Sequence, residues 1–319
     1  MQPLVSVVTP SYNQGTFLEE TILSVLGQDY QKIEYLVVDG GSSDGSQVII
    51  EKYAQRITWW VSEKDSGQAE AINKGFQHAK GEILGWLNSD DLYMPLTLQI
   101  VVDYFLAHPE VGLVFGDLLA IDENGDQINS LHYADYTLED LMTFHIIGQP
   151  AVFFRREILE QAGYLDLSYQ YLLDHQLWIR MACISKIQHI PQVLAAARFH
   201  AGAKNIAAAE KFGEEAYRIV DWMRSYEKTS LILPKIEKKV LAGACLIDGR
   251  YLLEGGKGWL AFKAYLRSIF LHPATGFREF HRLLYAFAAT LGLVHVENVV
   301  ERRKKMNAMK KKLKLSRKP

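Results

Sequence analysis

The chain has 319 residues and a formal net charge of -2, with 49% hydrophobic and 23% charged residues. This length and composition indicate a globular protein with one large domain and an appendage. Its two cysteines, Cys183 and Cys245, have neither C-x-x-C spacing nor a neighbouring histidine cluster, which argues against a disulfide framework and a structural zinc site.

Charge is distributed unevenly along the chain. Residues 302–319 contain ten Lys or Arg and no acid, so residues 1–301 carry a net charge of -12. An acidic body without a basic aromatic groove makes nucleic acid an unexpected partner. The start of the chain lacks a secretory pattern, and the longest uncharged apolar stretch, residues 283–296, is shorter than the roughly 20 residues that span a bilayer. We therefore expect a cytoplasmic protein.

The first hundred residues alternate short apolar runs with helical periodicity. The runs predict strands over residues 4–8, 33–38, 57–61 and 83–87. The helical patterns begin near Thr16, after Asp44, near Gly67 and after Pro95. Thr16 and Glu19 fit a capping box at the start of the first helix, and Asp44 fits a cap for the second.

After residue 110 the pattern changes. A hairpin is predicted over residues 111–121 and 127–132, followed by a helix at 172–183 and a strand at 193–200. Only helical periodicity follows, over 211–226, 231–253 and 259–271. We therefore predict a domain over 1–206, a helical region over 207–301 and a basic tail over 302–319.

Alternating apolar strands and helices predict an α/β fold with a mostly parallel sheet flanked by helices. In such a sheet, ligands bind beyond the carboxyl ends of the strands. Each of the four strands ends in a polar cluster, at residues 9–13, 39–45, 65–67 and 88–91. Each cluster alone could be an ordinary turn or helix cap, since Asp, Ser, Asn and Gly are preferred there.

The adjacent carboxylates Asp90 and Asp91 are harder to explain as a cap, because they repel each other unless a cation neutralises their charge. Magnesium or manganese held by one or two carboxylates and substrate phosphates is a common arrangement. The glycines of DGGSSDG match neither the dinucleotide nor the P-loop spacing. Its Asp39 suits a nucleobase N–H or a ribose hydroxyl better than a pyrophosphate.

Six motifs in this order resemble the inverting family 2 glycosyltransferases, of the WcaA-like bacterial kind, which have the GT-A fold. They are SVVTPSYNQ, EYLVVDGGSSDGS, EKDSGQAEAINKGFQHAKGEILGWLNSDDLY, GQPAVFFRRE, YLLDHQLWIRMA and AARFH, spread over residues 4–200. The resemblance implies a metal-dependent, hexosyltransferase-type enzyme. Its donor would be a nucleotide diphosphate sugar, with a UDP-sugar favoured, and its acceptor a carbohydrate or a lipid-linked molecule.

The resemblance also implies a donor site. Pro10 and Tyr12 would contact the nucleobase, with Tyr12 stacking on it, and Asp39 would accept a hydrogen bond from it. Asp65 and Asn73 would line the nucleoside pocket.

The D-x-D element of the family corresponds to Ser89, Asp90 and Asp91, where Asp91 would hold Mn²⁺ or Mg²⁺ at the diphosphate. Ser89 departs from the usual acid, so either Ser89 or Asp90 would contact the ribose. His200 matches a family histidine that approaches the metal or the diphosphate, although a strand-end histidine without that role is an equal alternative.

On the acceptor side, the resemblance makes Asp174 the general base, whereas its place near a helix start also fits a cap. Gln149 and Pro150 match the acceptor segment. Arg155 and Arg156 could form ion pairs either with the diphosphate or with surface acids.

The tail also leaves two alternatives. Its cations could attract anionic lipid, with residues 277–296 as an interfacial anchor, which would place the protein on the inner face of the plasma membrane. A solvated end is the other alternative.

Two other functions stay open beside sugar transfer in polysaccharide or glycolipid assembly. A sugar nucleotidyltransferase would need a basic Gly-rich loop after the first strand, and TPSYNQG has no basic residue. A non-catalytic nucleotide-sugar binding or scaffold protein would have no need of both Asp91 and Asp174.

Overall fold

A computed structural model describes residues 2–200 and 209–293. Contacts divide the chain into two compact units. The sheet unit comprises residues up to Leu141 together with Ile146–Arg198, and the helical unit comprises Met142–His145 and the described residues from Phe199 onward. The predicted boundary at residue 206 and the basic tail at 302–319 lie outside the described residues.

The sheet unit contains nine strands in one sheet. The strands are β1 (Val5–Ser11), β2 (Ile33–Asp39), β3 (Trp59–Ser62), β4 (Ile83–Trp86), β5 (Leu92–Tyr93), β6 (Val111–Ile121), β7 (Gln127–Leu131), β8 (Val152–Arg155) and β9 (Lys186–Arg198). The helices along the same part of the chain are α1 (Gly15–Leu26), α2 (Ser46–Lys52), α3 (Gln68–His78), α4 (Thr97–Ala107), α5 (Leu138–Met142), α6 (Arg156–Ala162) and α7 (Leu173–Ile184). A 3₁₀ turn covers Gln149–Ala151.

The sheet order is β3-β2-β1-β4-β8-β6-β9-β5, with β7 paired to β6. Strands β1 to β4 pair in parallel, which confirms the predicted βα units. β8 enters antiparallel between β4 and β6. The hairpin of β6 and β7 is confirmed, and β9 is longer than the predicted late strand because it pairs with β6 along nearly its whole length.

Helix α3 packs directly on β1. A Cβ added to Gly75 would lie 2.3 Å from Val8 Cγ1, so only glycine permits this approach. The apolar side of α3, with Ile72 and Phe76, is buried, as is Leu98 of α4. These helices therefore cover the sheet and leave its loops to face outward.

The predicted capping box at the start of α1 is wrong. Gln14 is the N-cap, and Thr16 and Glu19 form no cap there. Glu19 instead accepts hydrogen bonds from Lys52 and Tyr53, so its carboxylate serves the contact with α2.

The helical unit contains α8 (Ala209–Ser225), α9 (Glu227–Glu254), α10 (Gly258–Leu271), α11 (Pro273–Gly276) and α12 (Phe280–Thr290). Its small core joins α9, α10 and α12 through side chains that include Leu253, Tyr265 and Leu283. Cys183 and Cys245 are both free. No helix within residues 2–200 and 209–293 has the length and apolarity needed to cross a bilayer.

Candidate functional site

The loops after β1 and β2 are tied together at the carboxyl edge of the sheet. The Asn13 N–H donates to Ser42 Oγ at 2.8 Å, and the Ser43 N–H donates to Asn13 Oδ1 at 2.9 Å. Asn13 has a positive φ of 51°, a conformation that asparagine tolerates well. The tie leaves the side chain of Tyr12 63% exposed beside the paired loops, while Pro10 is buried in β1.

Asp39, at the end of β2, holds its own loop in shape. Its carboxylate accepts hydrogen bonds from the N–H groups of Gly41 and Ser42 and from the hydroxyls of Ser42 and Ser62, at 2.5 to 3.1 Å. The side chain is fully buried. Since two carboxylate oxygens accept about four hydrogen bonds, these four contacts, three from the loop and one from Ser62 of β3, match the capacity of Asp39, so a bond to a base would replace one of them.

Asp65 lies next to that loop. Burial raises the pKa of its carboxyl above the ordinary value, although the Gly67 N–H donates to Asp65 Oδ1 at 3.0 Å. A Cβ added to Gly40 would lie 2.8 Å from Asp65 Oδ2, so this carboxyl packs against the backbone of the β2 loop. The structure therefore brings Asp39 and Asp65 together.

Asn73 of α3 is engaged elsewhere. Its amide donates to the carbonyl of Leu165 at 2.8 Å and accepts from the Leu165 N–H at 3.0 Å. A nucleoside contact for Asn73 stays a prediction, and its observed contact anchors the segment that leads to α7.

Asn88 connects the loop after β4 to two other segments. Its Nδ2 donates to Asp91 Oδ2 at 3.2 Å and to Gln149 Oε1 at 3.0 Å, and its Oδ1 accepts from Gln68 Nε2 at 2.7 Å. Gln149 Nε2 also donates to the carbonyl of Trp86 at 2.8 Å. Hydrogen bonds thus join the predicted acceptor segment to the loop that carries Asp91.

Asp91 is buried, with 5% of its surface exposed, and Ser89 is buried beside it. Burial, together with the charge of Asp90, raises the pKa of the Asp91 carboxyl well above its ordinary value. The Arg198 N–H donates to Asp91 Oδ1 at 2.9 Å, and the Thr21 hydroxyl donates to the Asp91 carbonyl at 2.8 Å. Asn88 and the Arg198 N–H therefore hold the two carboxylate oxygens, and Thr21 holds the backbone of the same residue.

The side chain of Arg198 connects the Asn88–Asp91 loop to helix α1 and to the β6–β7 turn. Its Nε donates to the carbonyl of Asp90 at 2.9 Å, and its Nη2 donates to Glu20 of α1 at 2.6 Å. Nη1 lies 3.3 Å from the carbonyls of Asp122 and Glu123 in the β6–β7 turn. The guanidinium is 1% exposed, so one buried cation joins three segments around Asp91.

Asp174 lies in the first turn of α7, and its Oδ1 accepts from the His175 N–H at 2.7 Å. The N-cap is Leu172, so Asp174 is not the capping residue itself. One turn further along the same face, Trp178 stacks on Trp86 of β4 with ring centroids 5.0 Å apart. This packing holds α7 against the strand that leads into the Asn88–Asp91 loop.

The start of the segment between α6 and α7 is held by both α7 and α3. Arg180 donates to the carbonyls of Ala162, Gly163 and Tyr164 at 2.6 to 3.0 Å, and Asn73 holds Leu165. These contacts tie the beginning of the segment that leads to Asp174 to the two helices.

Gln149 and Pro150 form the 3₁₀ turn before β8, where Pro150 is buried. A Cβ added to the preceding Gly148 would lie 2.0 Å from Leu118 Cδ1 and 2.5 Å from the Tyr133 hydroxyl. Glycine is required there, because the turn runs against the end of β6.

Arg155 and Arg156 contact backbone carbonyls and not the surface acids of one alternative, while the diphosphate alternative stays a prediction. Arg155 donates to the carbonyls of Val111 and Phe105, and Arg156 donates to the carbonyl of Gly81. Their planar donor groups thus satisfy carbonyls at strand and helix ends. His200 is buried in the helical unit, and its metal role stays a prediction.

A divalent cation fits the chemistry of Asp91, because its oxygens are hard ligands and its buried charge lacks a full counter-charge. Among the described residues, no group of three or more His, Cys, Asp or Glu could hold a metal ion by itself. Any ion here would need oxygens from a bound phosphate as well.

Sequence reasoning missed Arg198, Asn88 and Gln68 as site residues. All three lie inside the motifs that resemble the family, yet only their neighbours were given roles. The signal for Arg198 was a charged residue directly after the apolar run VLAAA.

Comparisons with known proteins agree with this geometry. The model of the family described as "Glycosyl transferase family 2" matches residues 6–163. An uncharacterized glycosyltransferase of Rickettsia typhi is 28% identical over 247 residues, which cover 73% of this chain and 76% of that protein. The O-antigen biosynthesis protein RfbC of Myxococcus xanthus is 30% identical over 216 residues, which cover 66% of this chain and 16% of that protein.

Among solved structures, TarS 1-349 of S. aureus in complex with UDP-GlcNAc has a TM-score of 0.61 and 17% sequence identity. The match covers 86% of this chain and 92% of TarS 1-349. At this identity the likeness concerns the fold, and it confirms the predicted GT-A architecture with a helical C-terminal region.

Proposed function

We propose that this chain, which its family match and relatives support as a family 2 glycosyltransferase, moves a sugar from a nucleotide diphosphate sugar to an acceptor hydroxyl with inversion at the anomeric carbon. The observation that carries the proposal is the fixed position of Asp91. Its buried carboxylate is held by Asn88 and Arg198 at the edge where the loops of Asp39 and Asp65 also end.

The nucleoside would bind at the β1 and β2 loops. The exposed ring of Tyr12 offers a surface on which a base can stack, next to Pro10. Asp39 would accept a hydrogen bond from the base, Asp65 and Asn73 would line the pocket, and Ser89 or Asp90 would contact the ribose. A UDP-sugar is favoured, because the structurally similar TarS was solved with UDP-GlcNAc.

Asp91 would hold Mn²⁺ or Mg²⁺, with His200 as a second candidate ligand. When bound, the ion would neutralise charge that develops on the departing diphosphate. The buried position of Asp91 supports this role, since a carboxylate removed from water needs a positive partner. Asn88 holds its Oδ2 and the Arg198 N–H holds its Oδ1, so the carboxylate is already positioned.

Asp174 would remove the proton from the acceptor hydroxyl as that oxygen attacks the anomeric carbon. Its place in the first turn of α7 supports this, because the positive end of a helix dipole stabilises a carboxylate. Attack from the face opposite the leaving diphosphate inverts the anomeric centre in one displacement. No covalent sugar–enzyme bond is formed, unlike the two-step scheme of retaining glycosidases.

The acceptor would lie beside Gln149 and Pro150, whose turn is joined to the Asp91 loop through Asn88. A polysaccharide or glycolipid acceptor fits the relatives, one of which is named for O-antigen biosynthesis. The acceptor hydroxyl and the donor would then meet between this turn and α7.

The test is thermal unfolding of the full chain with UDP, GDP, dTDP, ADP and CMP, each with and without Mn²⁺. A ligand at about 100 times its dissociation constant stabilises a protein by about 2.7 kcal/mol, which raises the melting temperature by several degrees. We expect one nucleoside diphosphate to stabilise the protein only with the metal. Asp91→Asn should remove that effect.

Asp103→Asn is the matched control, because Asp103 is an exposed carboxylate of α4. It should leave the metal-dependent shift intact. If no nucleotide stabilises the protein with or without Mn²⁺, the donor site is wrong. With nucleoside triphosphates added to the panel, a triphosphate as the preferred ligand would favour a nucleotidyltransferase. Nucleotide binding without sugar transfer in a parallel activity assay would favour a scaffold.

A further inference from the structure

Helix α12 of the helical unit exposes an apolar stripe. Phe280, Leu284, Phe287 and Leu291 are 41 to 57% exposed and follow one another at spacings of four, three and four residues. This spacing puts them on one face of the helix. Leu283, three residues after Phe280, lies beside this stripe and is buried in the core of the unit.

The stripe continues onto α10. Phe262 lies 5.3 Å from Phe287 between ring centroids, and Trp259 lies 5.8 Å from Phe262. Trp259 is 54% exposed, and Lys263 Nζ lies 5.0 Å from its ring centroid. We call the surface formed by Trp259, Phe262, Phe280, Leu284, Phe287 and Leu291 the aromatic face.

An aromatic face of this kind is unusual on a water-exposed surface. A surface helix normally buries its apolar stripe, whereas the stripe of α12 is only partly covered: Leu283 is buried, and Phe280, Leu284 and Phe287 are exposed. Contiguous exposed apolar patches mark interaction sites. The aromatic face is therefore a candidate docking surface.

The charge around the aromatic face indicates what covers it. Residues 257–293 contain five Lys or Arg and one acid, Glu279. Glu279 is engaged by Arg250 and Arg282 within the helical unit, Arg282 also contacts Glu254, and Lys257 contacts Glu210. Residues 257–319 together contain 15 Lys or Arg and three Glu, so residues 1–256 carry a net charge of -14 in a chain whose total is -2.

We propose that the aromatic face docks on the surface of an anionic phospholipid bilayer. Aromatic and leucine side chains would enter the boundary between headgroups and acyl chains, and Lys263 together with the basic residues that follow in the sequence would meet lipid phosphates. Trp259 beneath Lys263 suits this boundary, because both side chains combine an apolar body with a polar end. The helices would lie along the membrane surface.

A second copy of the chain is a poorer occupant. A symmetric dimer through this face would bring two basic surfaces together, and like charges across an interface weaken association. The anionic bilayer supplies both the apolar layer and the opposite charge. The predicted anchor at 277–296 is described as far as residue 293, and the basic tail follows it in the sequence.

This inference does not depend on sugar transfer. Its test is co-sedimentation of the full chain with sucrose-loaded vesicles of phosphatidylcholine alone or mixed with phosphatidylglycerol. We expect binding to the anionic vesicles, little binding to the neutral ones, and a decrease at high salt. The double variant Phe280→Ser/Phe287→Ser should lower the partition coefficient at least about tenfold, since two buried rings contribute strongly to insertion.

Leu231→Ser is the matched control, because Leu231 is 74% exposed on α9, outside the aromatic face. It should bind as the wild type does. In anionic vesicles whose lipids carry brominated acyl chains, the tryptophan fluorescence of the wild type should be quenched. Trp259→Phe should remove most of that quenching.

Equal partition of the double variant and the wild type would overturn the proposal, since the tail alone would then bind. A concentration-dependent dimer that the double variant abolishes, without vesicle binding, would assign the face to a second copy. Nucleotide-induced stabilisation of the same variants, measured in parallel, tests the donor site separately.

Discussion

The backbone N–H of Arg198 donates to Asp91 Oδ1 at 2.9 Å, so the end of β9 fixes a carboxylate that lies 107 residues earlier in the chain. The side chain of Arg198 simultaneously binds the neighbouring carbonyl of Asp90 and the carboxylate of Glu20. Arg198 is therefore a positioning residue for the predicted metal ligand.

Arg198→Met should weaken the metal-dependent part of nucleotide binding at least about tenfold, because the Asp91 loop loses the buried cation that fixes it. Stability should fall by about 2 to 4 kcal/mol, since several carbonyls lose their donor. Arg198→Lys should restore part of the stability but little of the metal dependence, because lysine lacks the planar fork. Titration with Mn²⁺ at fixed nucleotide concentration measures the effect.

Arg56→Met is the control for that variant, since Arg56 is exposed and donates to a single carbonyl, that of Leu26. If Arg198→Met lost stability but kept the affinity for Mn²⁺, the positioning role would be wrong.

Asp174→Asn should lower kcat by about 10² to 10⁴, the usual contribution of a general base. The amide keeps the size of the side chain and an acceptor for the His175 N–H, so the fold and the nucleotide affinity should stay the same. Steady-state transfer and nucleotide-induced stabilisation, measured on the same preparation, separate the two effects. An unchanged kcat would exclude Asp174 as the base.

Asn73→Ala should lower the free energy of unfolding by about 1 to 3 kcal/mol, because the backbone N–H and carbonyl of Leu165 lose their partner. Urea denaturation measures this loss. If Asn73 also lines the nucleoside pocket, the dissociation constant for the nucleotide should rise as well. Unchanged stability would contradict the anchoring role.

Protonation of Asp117 in β6 should lower the stability of the protein in acid. Burial raises the pKa of its carboxyl, but donors on His132, Tyr133 and His189 outweigh burial and hold the pKa below the ordinary value. A lowered pKa contributes stability above the unfolded value of about 3.9, and this contribution is lost as pH falls through the folded value.

Asp117→Asn should therefore cost about 1 to 3 kcal/mol at neutral pH, and the difference from the wild type should shrink below about pH 4. Urea denaturation from pH 3 to pH 7 would show the convergence. A difference that stayed constant over this range would rule out titration of Asp117 as its source.

Much of the sheet unit could be predicted, because its strands are short apolar runs bounded by polar turns. The shared position of the Asp39 and Asp65 loops followed from the rule that parallel strands end at one edge of a sheet. The structure brings those two carboxyls together. The roles assigned to Asp91 and Asp174 rest on the resemblance and stay predictions.

The contacts that could not be predicted are those between distant segments. Arg198 reaches the Asp91 loop only because β9 pairs with β5, and Asn73 reaches Leu165 across 92 positions of sequence. The failed capping box has the same cause. Local spacing suggested capping hydrogen bonds between Thr16 and Glu19. In the folded protein, Glu19 instead accepts hydrogen bonds from Lys52 and Tyr53.

One further feature, the carboxylate of Asp44, bears on how the chain folds. Its Oδ2 accepts from the Gly15 N–H that begins α1, and its Oδ1 accepts from the Ser46 N–H and hydroxyl that begin α2. Gly15 lies 29 residues before Asp44, so α1 acquires this partner only after the second strand has come alongside the first. Part of the stability of α1 therefore depends on the assembly of the first βαβ unit and not on the helix alone.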